Sequence, residues 1–226
     1  MNLQERSYNG QFTRPRPEVH VEEHASLVII ATPWGNRSGA RRAIQSITEF
    51  FLAAKDDVEV TSPFQKLTCL SPMANNLRVA VMLANDIVYQ EENRSEYLSG
   101  LELFVGAKDG NEFSFIQVGH PQIFLDRPGA DLITTGCLTD LALDFSPKRK
   151  KFAPLPNTLL GVHSTTAPTI RTLRIGEGDR VVLLSHSWVP TPFFSLERGK
   201  RNLDSLSSVL ANQAPDEPYW LGYLEP

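Results

Sequence analysis

The sequence predicts an α+β domain assembled in layers. Two long stretches carry apolar residues at helical spacing, and the middle and end of the chain hold short strands around tight turns. Helices and strands come in blocks without β-α-β alternation, which favours antiparallel sheets with helices laid against them.

The elements follow in order. Residues 13–24 are proline-rich and charged and read as a connector, with His20 and His24 solvated in it. Leu27 to Ala31 is a short apolar run of strand length. Asn36 to Ser38 can cap a helix running to Ala54, on which Ala43, Ile44, Ile47, Phe50 and Phe51 share a face. Ser62-Pro63 breaks the chain. A second helix is predicted from Ser71 to Glu92, with Leu77, Val81, Ala84 and Val88 as its apolar stripe and Pro72 in the first turn, where its missing N–H is tolerated. The period then changes to strands at Leu101–Ala107, Glu112–Val118 and Gln122–Arg127, the first two joined by a tight hairpin at Asp109-Gly110-Asn111. Pro128-Gly129 turns the chain into a short strand at Asp131–Thr134. Residues 139–157 form a loop with the basic run Lys148 to Lys151. Thr169–Ile175 and Arg180–Ser185 read as a second hairpin across Gly176 to Asp179. A last helix covers Leu203–Asn212, and Tyr219–Leu224 is a closing strand.

The 226 residues suffice for a sizeable core without disulfides. Lys and Arg number 22 against 26 Asp and Glu, a net charge of −4, so no overall basic field points to nucleic acid or an anionic membrane. Cys69 and Cys137 are too few for a disulfide framework or a thiolate zinc site and read as buried free thiols. The first residues lack a signal peptide's apolar core, and no apolar run nears the ~20 residues that span a bilayer, so a cytoplasmic location is expected. Walker, dinucleotide-binding and Gly-x-Ser-x-Gly patterns are absent.

Three segments run from a strand into a turn that could hold a catalytic metal ligand rigidly: 28–35, 118–125 and 178–187. Hard divalent cations need oxygen ligands, chiefly carboxylates. These turns instead carry Thr32-Pro33, His120 and His186.

The order of these motifs resembles the PPM-type, metal-dependent serine/threonine phosphatase family along nearly the whole chain. Leu155 to Gly161 is similar to that family's leucine-glycine stretch, and Ile175-Gly176-Glu177-Gly178-Asp179-Arg180 to Ser185 follows at the usual distance. The family's Ser-Asp-Gly ending is Ser185-His186-Ser187 here, its Val-Gly-Asp-Ser-Arg turn is Val118-Gly119-His120-Pro121-Gln122, and its Ala-Asp-Gly-Met-Gly is Ala31-Thr32-Pro33-Trp34-Gly35. Arg6 to Gln11 matches the N-terminal Arg-x-x-Asn-Glu-Asp with the acids replaced by Gly10 and Gln11, and Asp216-Glu217 matches the closing aspartate motif.

The resemblance implies a four-layer αββα sandwich, two antiparallel sheets flanked by helices, with residues 1–226 as a single domain and 139–157 as a shortened, basic flap-like loop. It also implies a degenerate member, a pseudophosphatase. Two metal ions that share a bridging aspartate activate water in the family. At the matching positions, Gln11, Thr32, Pro33, His120 and His186 leave Asp216 as the single remnant. No catalytic residue and no cofactor are therefore expected. Arg6 is the expected phosphate-binding residue, and Trp34 the expected filler of the old cleft. The proline–aromatic segment Trp188, Phe193 and Phe194 is a partner-binding candidate, set against plain packing over the sheet edge. The function read from this is cytoplasmic signalling through a protein partner, including a phosphorylated one. The alternative is a weak phosphatase in which His120, His186 and Asp216 hold zinc or another transition metal.

Overall fold

The computed structural model describes residues 1–10, 14–56, 64–136, 156, 158–186, 188–197 and 199–226. In chain order the elements are β1 (Asn2–Tyr8), β2 (Glu18–Glu22), β3 (Leu27–Gly35), α1 (Ser38–Asp56), α2 (Pro72–Val88), β4 (Ser99–Asp109), β5 (Glu112–Val118), β6 (Gln122–Asp126), β7 (Ile133–Gly136), β8 (Thr169–Arg174), β9 (Arg180–Ser185), α3 (Thr191–Phe194), α4 (Leu203–Gln213) and β10 (Tyr219–Glu225). They form two five-stranded antiparallel sheets and their helices, an α+β architecture. Contacts divide the chain into two compact units that interleave in sequence: one holds 17–119 and 157–175, the other 2–16, 120–156 and 176–226.

The first unit contains the sheet ordered β2-β3-β4-β5-β8. Leu27, Ile29 and Ala31 of β3 and Leu101, Leu103 and Val105 of β4 face α1 and α2, whose Ala43, Ile47, Leu77, Val81, Ala84 and Val88 complete one core. The alternate residues Val28, Ile30, Phe104 and Phe115 are also fully buried. A strand buried on both faces reads as an unbroken apolar run, which is why β3 is legible. Helix α2 starts where expected, with the Ser71 side chain accepting the Ala74 N–H and proline in the first turn. It ends at Val88, short of the predicted Glu92, and passes into a π-helical turn over Tyr89–Asn93. That turn delivers the buried Asn93 amide, which accepts from the Leu98 and Ser99 N–H groups and donates to the Ser99 and Gly161 carbonyls. Asn85 of α2 accepts the Gly161 N–H and donates to the His163 carbonyl.

The second unit contains the sheet ordered β1-β10-β9-β6-β7. Its core gathers Phe124, Val182, Leu184, Leu221 and Tyr223 from the strands with Phe193, Leu206 and Leu210 from the helices. Arg201, just before α4, donates to Asp126 on β6 at 2.9 Å and to the Ala130 and Leu196 carbonyls. Tyr223 donates to Asp126 as well. Burial first, then the Asp126 carboxylate, push the Tyr223 phenol up to about 12, so it remains a neutral donor at ordinary pH.

Several expectations are corrected. The supposed connector 13–24 contains β2, which pairs with β3 from Glu18↔Ala31 to Glu22↔Leu27; flanking prolines masked a five-residue alternation. Residues 2–8 form β1 against β10, although mostly exposed and without an apolar signal. β8 and β9 are not a hairpin: β8 pairs with β5, whereas β9 pairs with β6 and β10 in the other sheet. The Asp131–Thr134 strand lies two residues later, at Ile133–Gly136. Cys69 is exposed, not buried. Cys137, Ser62-Pro63, Ser187 and the basic run 148–151 lie outside the described residues.

The turn between β8 and β9 owes its sequence to structure. Asp179 takes a bidentate hydrogen bond from Arg127 and another from the Gly176 N–H. Burial alone pushes its carboxyl up, but those hydrogen bonds and the guanidinium charge together hold it below the usual carboxylate range. A depressed folded value means stability that is present above an ordinary aspartate pKa of about 3.9 and lost as pH falls through the folded value. Asp179→Asn is therefore expected to lower the urea midpoint at neutral pH, with the gap to the parent protein narrowing below about pH 4. A gap independent of pH would refute this role for the ion pair.

Candidate functional site

Of the sequence-predicted positions, His120 and His186 lie just beyond strands, whereas Thr32 and Pro33 lie within one. In the first unit, Thr32 and Pro33 lie in β3, and Thr32 stands opposite Glu102 of β4. Among the described residues the buried Thr32 hydroxyl meets no hydrogen-bond partner. Glu102 is fully buried, and its Oε2 accepts the Nε1–H of Trp34 at 3.0 Å. The indole expected to fill a cleft is thus anchored by a carboxylate that the motif reading missed. The signal was available: Glu102 is one acid inside the apolar run Leu101 to Val105. Gly35 follows at φ +108°, where a Cβ would lie 2.3 Å from the Leu98 carbonyl oxygen, so the turn needs glycine whatever its chemistry.

In the second unit, β6 pairs with β9 in a register whose outermost pair is Gln122↔Leu184. His120 and His186 each lie two residues beyond that pair, at the same end of neighbouring strands, as the sequence implies. Asp216 is exposed to solvent. The carboxylate that reaches His186 belongs to the next residue: Glu217 Oε2 is 3.5 Å from His186 Nε2 and accepts the Trp188 Nε1–H at 3.1 Å. His186 is fully buried, with Nδ1 2.5 Å from the Trp188 carbonyl oxygen. The Trp188 N–H also approaches Nδ1, at 3.3 Å, so this ring nitrogen is taken up by the main chain of Trp188. Trp188 also rests edge-on against the imidazole, with centroids 5.9 Å apart. Imidazole, carboxylate and indole thus close on one another.

The structure places the other candidate residues as follows. Arg6, expected to bind phosphate, is ion-paired at 2.6 Å with Asp204 of α4. Phe193, a partner-binding candidate, is fully buried beside Phe124, with ring centroids 5.8 Å apart. Phe194 stays 38% exposed, and Trp188 is half-buried and tied to Glu217, so the segment mainly packs over its sheet. Of the remaining histidines, His163 and His24 are exposed, while His20, expected in solvent, is half-buried on β2. Gln11 lies outside the described residues.

The third tryptophan repeats the pattern of the other two. Trp220 of β10 donates its Nε1–H to Glu5 of β1 at 2.7 Å. All three tryptophans of the chain therefore spend their one donor on a glutamate. No sequence spacing announces this, since Glu5 and Trp220 are 215 positions apart.

These residues do not fit a pair of magnesium or manganese ions. Such a site needs several carboxylate oxygens in shared geometry. Thr32 supplies one neutral hydroxyl, Pro33 replaces a permissive glycine, and Glu102 and Glu217 are engaged by indoles. Among the described residues, no group of three His, Cys, Asp or Glu is arranged to hold a metal ion.

No protein-family model matches the sequence, and no curated protein matches it. Solved structures do. PppA, described as a key regulatory component of the T6SS in Pseudomonas aeruginosa, is similar at 18% identity with a TM-score of 0.63 over 98% of this chain and 96% of that one. The PPM Ser-Thr phosphatase MsPP from Mycobacterium smegmatis is similar at 14% identity with a TM-score of 0.69 over 100% and 98%. The serine/threonine phosphatase PstP/Ppp of Mycobacterium tuberculosis is similar at 18% identity with a TM-score of 0.65 over 100% and 99%. At these identities the likeness establishes the fold: the chain has the architecture of PPM-type serine/threonine phosphatases from end to end. Among the described residues, no helix is long and apolar enough to cross a membrane.

Proposed function

We propose that residues 1–226 form a single phosphatase-like domain that does not hydrolyse phosphate esters and acts stoichiometrically, as a cytoplasmic signalling module that regulates a protein partner. One observation carries this reading. At the positions where the resembled family places metal-binding carboxylates, this chain places Thr32-Pro33 and His186, and the nearby Glu102 and Glu217 are bound by tryptophan N–H groups. A neutral hydroxyl and an imidazole supply too little negative charge to offset the dehydration of a hard divalent cation. Without the cations, no water is activated and the leaving oxygen is not clamped. The preserved architecture then has binding left as its use. A regulatory role agrees with the description of PppA as a regulatory component, an analogy of fold alone.

The test is purified protein with p-nitrophenyl phosphate and a phosphothreonine peptide in excess Mn²⁺. Phosphate release is expected to equal that of Mn²⁺ buffer. Mn²⁺-dependent turnover abolished by His186→Ala or Glu217→Gln would overturn the proposal.

A further inference from the structure

The sheet order leaves β2 at one edge of its sheet. Its inner side pairs with β3, and no hydrogen bond to its outer side comes from any described residue. Paired residues share a face, so Glu18, His20 and Glu22 lie with Ala31, Ile29 and Leu27 on the face that carries α1. Between β2 and α1 runs an open groove of about 490 Å³, lined by Glu18, Val19 and His20 on the strand side and by the stripe from Arg41 to Glu49 on the helix side. The helix residues recur three and four apart, so they form one wall.

The geometry points to a docking site for an extended, basic segment of a partner protein, which adds to β2 as a sixth strand with α1 as its backstop. An edge strand offers a row of N–H and C=O groups that any extended chain can pair with, and side-chain pockets beside it choose among chains. Charge makes the choice here. Arg37 and Arg41 both turn to Glu18, at 3.0 and 3.6 Å. Among the described residues Glu22 on the strand forms no ion pair, the Lys55 ammonium going to the His24 carbonyl at 3.4 Å, and Glu49 on the helix accepts the Gln45 amide. Lysine or arginine at alternate positions of an incoming strand would meet these carboxylates. His20 adds a second mark: among the described residues its buried Nε2 meets no hydrogen-bond partner, so a polar group entering the groove would find one there. This inference holds whether or not the domain hydrolyses anything, so its failure and that of the proposed function are separable.

The probe is a fluorescent acetylated peptide, Lys-Val-Lys-Val-Lys-Val amide, beside the same peptide with glutamate for lysine and a version N-methylated on alternate backbone nitrogens. Polarisation should show binding of the lysine peptide, about tenfold weaker binding of the glutamate peptide, and loss with N-methylation. Hydrogen exchange should slow at Glu18–Glu22. The double variant Glu22→Lys, Glu49→Lys should reverse the charge preference and leave the melting temperature unchanged. Equal affinity for all three peptides, protection at β1, β7 or β8 instead, or self-association through β2 would overturn the proposal. So would no binding at millimolar peptide, the result expected if the acids merely keep the edge from pairing.

Discussion

Asn93→Ala is expected to lower stability by about 4 kcal/mol, since it leaves several buried main-chain groups without partners at roughly 1–3 kcal/mol each. In a chain of this size that corresponds to a fall in melting temperature of about 10 °C. Asn93 is nearly fully buried, and its amide makes four hydrogen bonds, to the Leu98 N–H, to both main-chain groups of Ser99 and to the Gly161 carbonyl. It fastens the start of β4 to the Leu160-Gly161 segment, which bridges to Leu101. Asn93→Asp keeps the acceptor oxygen, loses both donors and buries a charge, so it is expected to be at least as damaging. Thermal and urea melts decide the matter. A loss under about 1 kcal/mol for both variants would mean that water replaces the amide at no cost.

Gly161 shows why so much of the architecture was legible. It adopts φ +83°, and a Cβ there would lie 2.3 Å from the Val88 side chain. The leucine-glycine stretch is thus kept by packing, independently of catalysis. The Gly176 to Arg180 turn is similar: Asp179 is held for Arg127 and the Gly176 N–H. Motifs of this kind encode local geometry, and local geometry is what a sequence states directly. Sheet membership is not local. Residues 169–185 have the strand–turn–strand pattern of a hairpin, and only pairing with β5 on one side and with β6 and β10 on the other separates the two strands. β2 was hidden for a related reason, because five alternating residues after Pro17 acquire meaning only beside β3.

The site was half legible. The motif positions and their missing acids are visible in Thr32-Pro33 and His186. The groups that occupy the remaining carboxylates are not. Asp216 and Glu217 are adjacent, and which of them turns toward His186 depends on how the chain enters β10. The indole partners of Glu5, Glu102 and Glu217 come from remote or unpatterned positions. A buried carboxylate needs a partner, so Glu102 alone could have been flagged from its apolar surroundings.

Phe193→Ala and Phe194→Ala are expected to differ sharply, although the residues are adjacent. Phe193 is fully buried among Phe124, Leu206 and Leu210, so its truncation should cost about 3–5 kcal/mol, the range for a large aromatic removed from a core. Phe194 meets Phe124 edge-on at 5.7 Å but stays 38% exposed, so its truncation should cost about 1 kcal/mol. The pair separates two readings of one proline–aromatic segment. A docking surface would make both variants nearly as stable as the parent and would move binding instead. A packing role makes Phe193 a stability residue, because the short α3 then exists to plug that ring into the core between β6 and α4. Chemical denaturation of the two single variants answers the question. Equal, small losses would return Phe193 to the surface.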